Sequence, residues 1–207
     1  GFVPEFNAQL AFPWEKKISA YGDDAVFIVT QKLDGVRALI EVDRGRVVAV
    51  RSRKGKPIRG LVEVEVAAAA VVPSEWGRVM LDGELIADGC ESMTMGEGFR
   101  ATSSIVRSGG DKSGVSFHVF DVVPATVFDD GTGNKTYRER RRMVDELPSG
   151  GHVRKVPVLG ETSKNGIAEW GERAPYAVFE FAHALVECVD FIEIAALVDV
   201  RNACGED

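Results

Sequence analysis

Apolar residues in this chain come in short blocks broken by glycine and charge, and their periods predict strands more often than helices. Ala25 to Val29 is an apolar run leading to Lys32. Arg37 to Val42 and Arg46 to Arg51 predict two strands joined at Asp43-Arg44-Gly45. Val79 to Ala87, Ser116 to Val123 and Val153 to Leu159 predict three more, the first two buried. Leu61 to Val72 is rich in alanine and closed by Pro73, which predicts a helix ending at the proline. Thr136 to Leu147 predicts a basic helix with the threonine as its cap and Pro148 after its last turn. Strands do not alternate regularly with helices, so the pattern is α+β and mostly antiparallel. Gly131 to Thr136 resembles a phosphate loop but lacks its glycine spacing and follows Asp129-Asp130, so a flexible loop is expected there.

With 207 residues and 45% hydrophobic content the chain is long enough to bury a core. No apolar run approaches the roughly 20 residues of a membrane span and no leader is recognisable, so a cytosolic or nuclear monomer is expected. The chain opens on Gly1, so an upstream start or trimming is expected. Cys90, Cys188 and Cys204 are widely spaced, which suggests neither a disulfide framework nor a zinc site. The three histidines, His118, His152 and His183, are too scattered to suggest a metal cluster. Charge is uneven. From Trp170 onward eight acids face two arginines, a net of −6, which leaves −1 for residues 1–169 out of the total of −7. Arg44, Arg46, Arg51, Arg53, Lys54, Lys56 and Arg59 fall in one stretch without any Asp or Glu. Such a patch suits phosphate contact that weakens with salt, or a solvated pair of strand edges.

The candidate chemistry centres on Lys32-Leu33-Asp34-Gly35-Val36-Arg37. A lysine amine is a nucleophile when neutral, and its surroundings can favour that form. Arg37 is placed to grip a phosphate with two hydrogen bonds. Asp34 is placed to orient the amine or bind ribose, and Gly35 to turn the backbone tightly. The same six residues also read as an ordinary Asp-Gly turn with solvated charges.

Further segments follow in order: Ser52-Arg53-Lys54-Gly55, Leu81-Asp82-Gly83-Glu84-Leu85 and Phe117-His118-Val119-Phe120-Asp121-Val122-Val123. Together with Lys-x-Asp-Gly-x-Arg they resemble the motifs of the covalent nucleotidyltransferases, which include ATP-dependent DNA ligases, RNA ligases and mRNA-capping guanylyltransferases. Arg51 to Arg59 and Phe99 to Val106 further resemble nick-contacting segments of small viral and phage DNA ligases. The resemblance implies an ATP-grasp-like adenylation domain of two mostly antiparallel sheets with flanking helices and a nucleotide cleft between them. It implies Lys32 as the residue that takes AMP from ATP, with Asp34 beside it as a catalytic residue. Arg37 and Arg53 would contact ribose or nick phosphates, Phe120 would stack on the base, and Glu84 would touch ribose and help place Mg2+. Lys54, Lys56, Arg59, Thr102 and Ser104 would meet nicked duplex DNA.

The later part of the chain departs from the pattern. A Glu-Gly followed by an apolar run and a basic residue, and then a Lys-x-Lys, are expected after the Val153 to Leu159 strand; neither is present, and no lysine follows Lys164. Glu180, Glu187 and Glu193 are the acids available as substitutes. The expected organisation is therefore an adenylation domain over residues 1–169 and an atypical acidic segment over 170–207, truncated, frame-shifted or degenerate, with no OB-fold domain.

Overall fold

A computed structural model describes residues 11–13, 18–125, 127, 132–174, 176–188, 192–193 and 197–199. The strands are β1 (Ala11–Pro13), β2 (Val26–Gln31), β3 (Val36–Asp43), β4 (Arg46–Ser52), β5 (Arg78–Ala87), β6 (Val115–Pro124), β7 (Thr132–Thr136), β8 (Val153–Lys155), β9 (Val158–Ser163), β10 (Ala177–Phe181), β11 (Leu185–Cys188), β12 (Ile192–Glu193) and β13 (Leu197–Asp199). The α-helices are α1 (Val62–Val71), α2 (Glu97–Val106), α3 (Tyr137–Glu146) and α4 (Ile167–Arg173). One five-stranded sheet runs β4-β3-β5-β6-β8, a second runs β1-β13-β10-β2-β9, and β12-β11-β7 form a small third. Only β6–β8 and β1–β13 pair in parallel among the described residues. The fold is α+β with mostly antiparallel sheets, as the strand pattern implies.

Alternation along the strands decides what each sheet buries. Ala38, Ile40 and Val42 of β3 and Val79, Leu81 and Leu85 of β5 join the main core with Leu61, Val64 and Ala68 around α1 and Val144 and Leu147 around α3. The intervening residues Arg37, Asp82 and Glu84 project from the opposite face. In the second sheet, Phe27, Val29, Ala177 and Phe179 pack with Ile167 of α4. Thr30, Val178 and Glu180 therefore face the other way, into the space between the sheets.

Several boundaries match the sequence pattern. Arg44 and Gly45 take the positive φ values, 48° and 81°, that a tight hairpin requires. The Thr136 side chain accepts from Glu139 N–H and caps α3. Three expectations need correction. Val153 to Leu159 is two strands in two sheets, β8 and β9, because Pro157 cannot donate to a ladder and breaks the run. The expected flexible loop at Gly131 to Thr136 is strand β7 over Thr132–Thr136, paired with β11, a long-range partner that local composition does not reveal. The change in composition after residue 169 is not a structural boundary at β10, which lies hydrogen-bonded between β2 and β13. Among the described residues no helix is long and apolar enough to cross a membrane.

Candidate active site

Lys32 to Gly35 is not a hairpin. It carries the chain from β2 in one sheet to β3 in the other, so the lysine stands where the two sheets meet. The Lys32 N–H is held by Tyr176 O at 2.7 Å. Gly35 lies so close to β5 that a Cβ there would stand 2.2 Å from Leu85 O and 2.5 Å from Ile86 Cδ1. Only glycine allows this loop to lie flat on the strand.

A cleft of about 870 Å³ opens around the loop. Lys32, Asp34, Arg37, Arg53, Lys54, Lys56, Glu84 and Phe120 all line it, with Thr30, Tyr137, Tyr176 and Glu180. Arg37 Nε and Nη2 donate to the two oxygens of Asp82 at 2.6 and 2.5 Å. Its guanidinium also lies 4.8 Å above the centre of the Phe120 ring. Phe120 is exposed to the cleft by a β-bulge: the β5–β6 register steps from Asp82↔Asp121 to Gly83↔Val119, leaving Phe120 as the extra residue. The bulge sets Asp121 directly across from Asp82.

Beneath this lies a second ion-paired layer. Arg140 of α3 is fully buried; its Nε and Nη2 donate to Asp121 at 2.9 and 3.3 Å, and its Nη1 donates to Lys135 O and Ala184 O. Glu180 Oε1 is 3.9 Å from Arg140 Nη2. Burial holds the Glu180 carboxyl well above the ordinary carboxylate range, reinforced by the charge of Asp121. Burial likewise pushes Glu84 up to about 7, against the pull of Arg37 and Lys32.

Asp34 Oδ2 accepts from Gly98 N–H of α2 at 3.0 Å. Ser104 is exposed, and its hydroxyl donates to Ala101 O one turn earlier. Arg59 lies outside the cleft lining, its carbonyl accepting from Lys112 Nζ. Thr102 corrects an expectation: it is fully buried and its hydroxyl accepts from Ala87 N–H at 2.9 Å, so it fastens α2 to β5 and does not reach a ligand. The basic stretch also divides. Arg44 pairs with Asp43 and Arg51 with Glu41, whereas Arg53, Lys54 and Lys56 turn toward the cleft.

Sequence reasoning missed the Asp82–Arg37 and Asp121–Arg140 pairs, and held Glu180 only as a substitute acid. Alternation along β5 is the signal that could have placed Asp82 beside Glu84. The side chains of Glu187 and Glu193 lie outside the described residues. No cluster of three metal-ligating side chains stands among the described residues.

The family model for the ATP dependent DNA ligase domain matches residues 8–173. No curated protein sequence matches the chain. Among solved structures, Pmar-Lig_Pre is similar with a TM-score of 0.72 and 18% identity, over 95% of this chain and 46% of that one. The ATP-dependent DNA ligase of bacteriophage T7, in complex with ATP, gives 0.62 and 15% over 95% and 68%. A mutant of the Naegleria gruberi RNA ligase with AMP and Mn gives 0.56 and 15% over 99% and 60%. This chain thus spans about half the length of the first of these. At such identities the structures speak for the fold, while the family match covers the Lys32 loop and most of the cleft, ending before Tyr176, Val178 and Glu180. The chain belongs to the ATP-dependent DNA ligase domain family and is an adenylation domain of that family.

Proposed function

We propose that this domain takes AMP from ATP onto Lys32 and delivers it to the 5′-phosphate of a nick in duplex DNA. The carrying observation is the lysine itself, held between two sheets at the mouth of a cleft that also presents an aromatic ring, an arginine and two carboxyls, Glu84 half-buried and Glu180 buried. The Lys32 amine attacks the α-phosphorus; an N–P bond forms, the bond to the β-phosphate oxygen breaks, and pyrophosphate leaves. The amine sheds its proton to the water of the cleft. An oxygen of the nick 5′-phosphate then displaces Lys32, and the 3′-hydroxyl displaces AMP to close the strand.

The other residues position and neutralise. Phe120 offers the base the ring face that Arg37 does not cover. Asp82 keeps Arg37 in one orientation by a two-pronged pair, which fixes the guanidinium at the cleft for contact with phosphate or ribose. Glu84 and Glu180 both line the cleft and offer carboxylate oxygens, the donor type that a hard cation such as Mg2+ takes. These two would hold it, and the metal would neutralise the triphosphate. Arg53, Lys54 and Lys56 give the polynucleotide a basic approach.

Intact mass after incubation with ATP and Mg2+ tests the reading. A gain of one AMP, absent in Lys32→Ala and absent with GTP, supports it. A gain with GTP instead points to capping chemistry. AMP transfer to nicked RNA in preference to DNA points to RNA joining, consistent with the likeness to an RNA ligase. A folded protein that binds nicks without gaining mass is a binding remnant.

A further inference from the structure

The contact between Asp34 and Gly98 joins residues 64 positions apart in sequence. Gly98 is the second residue of α2, where helical N–H groups have no partner inside the helix. The cap residue Gly96 supplies no side-chain bond, so a carboxylate from the nucleophile loop does what a cap residue ordinarily does. The fit is close: Gly98 is buried, and a Cβ on it would stand 2.2 Å from Asp34 O. The entry to α2 runs through two positive φ values in succession, Gly96 at 85°, which glycine adopts freely, and Met95 at 59°, which is strained for a residue with a side chain. A non-glycine residue keeps such a conformation only where its surroundings over-determine it.

That same turn carries part of the cleft rim. Met95 and Phe99 are 64% and 40% exposed, and Arg107, just past the end of α2, lies 5.9 Å from the Phe99 ring centre. All three line the cleft that holds Lys32. We infer that Asp34 is a positioning residue that fastens the first turn of α2 to the nucleophile loop, so that Lys32 and the Met95–Phe99–Arg107 rim approach a nicked strand as one rigid unit. The inference rests on the nick-joining reading above. It differs from a role for Asp34 as a charge beside the amine, because the acceptor oxygen is what matters.

The test uses the full chain with three variants and two readouts. Asp34→Ala removes the acceptor, Asp34→Asn keeps one, and Gly98→Ala pushes the turn away from the other side. The Gly98 amide should exchange about tenfold faster in Asp34→Ala than in the unaltered protein, with Asp34→Asn much closer to the latter. Affinity for a 5′-phosphorylated nicked duplex, read by fluorescence anisotropy, should fall about tenfold in Asp34→Ala and in Gly98→Ala, and no further in the double variant. Unchanged Gly98 exchange in Asp34→Ala, an Asp34→Asn as impaired as Asp34→Ala, or additive losses would each overturn the inference. Circular dichroism identifies a variant that has lost its fold, and Asp34→Ala carries the test if Gly98→Ala does. If the unaltered protein neither binds the nick nor gains AMP, the functional reading fails while amide exchange still decides the latch.

Discussion

Replacing Glu84 by glutamine should change how stability depends on pH in a way that reports directly on the cleft. Burial raises this carboxyl from 4.5 to about 7, with Arg37 and Lys32 opposing the rise. Between those two values the folded protein holds a proton on Glu84 that the unfolded chain releases, so stability falls as pH rises. The contribution is fully present below 4.5 and lost as pH passes 7. Each pKa unit corresponds to about 1.4 kcal/mol, which sets a ceiling of about 3.5 kcal/mol on the loss. Glutamine carries no titrating proton and removes the slope. Relative to the unaltered protein, Glu84→Gln should therefore gain about 2–3 kcal/mol between pH 5 and pH 8. Urea unfolding followed by circular dichroism at the two pH values measures the difference. Equal pH dependence in the two proteins would refute the reasoning, and a gain of opposite sign would mean that Arg37 and Lys32 outweigh burial.

Other outcomes follow from the same geometry. Asp82→Ala leaves the Arg37 guanidinium buried without its two-pronged partner, and should cost about 3 kcal/mol by urea unfolding. Gly35→Ala places a methyl 2.2 Å from Leu85 O, so the nucleophile loop must lift from β5; AMP transfer to Lys32 should slow about 100-fold in single-turnover mass measurements. Nick affinity should fall with salt at a log–log slope of about −3.6 if Arg53, Lys54, Lys56 and Arg107 each meet a phosphate. Neutralising any one of them should reduce that slope by about 1, as read by anisotropy titrations across salt concentrations.

The sequence by itself determined what depends on neighbours in the chain. The hairpin at Arg44-Gly45, the capped helix after Thr136, the buried strands of the main sheet and the lysine loop are legible because turn conformation, capping and alternation act over a few residues. The order of the motifs carried the family. Tertiary structure decided what depends on partners far apart. Glu180 could not be told from other acids of an acidic segment until β10 paired with β2 and turned it into the cleft. Thr102 read as a surface residue until α2 lay on β5 and buried its hydroxyl on Ala87. Asp34 read as a residue beside the amine, and only the approach of α2 set its carboxylate on Gly98, because register and sheet-to-helix packing bring together groups whose spacing in the chain carries no local signal.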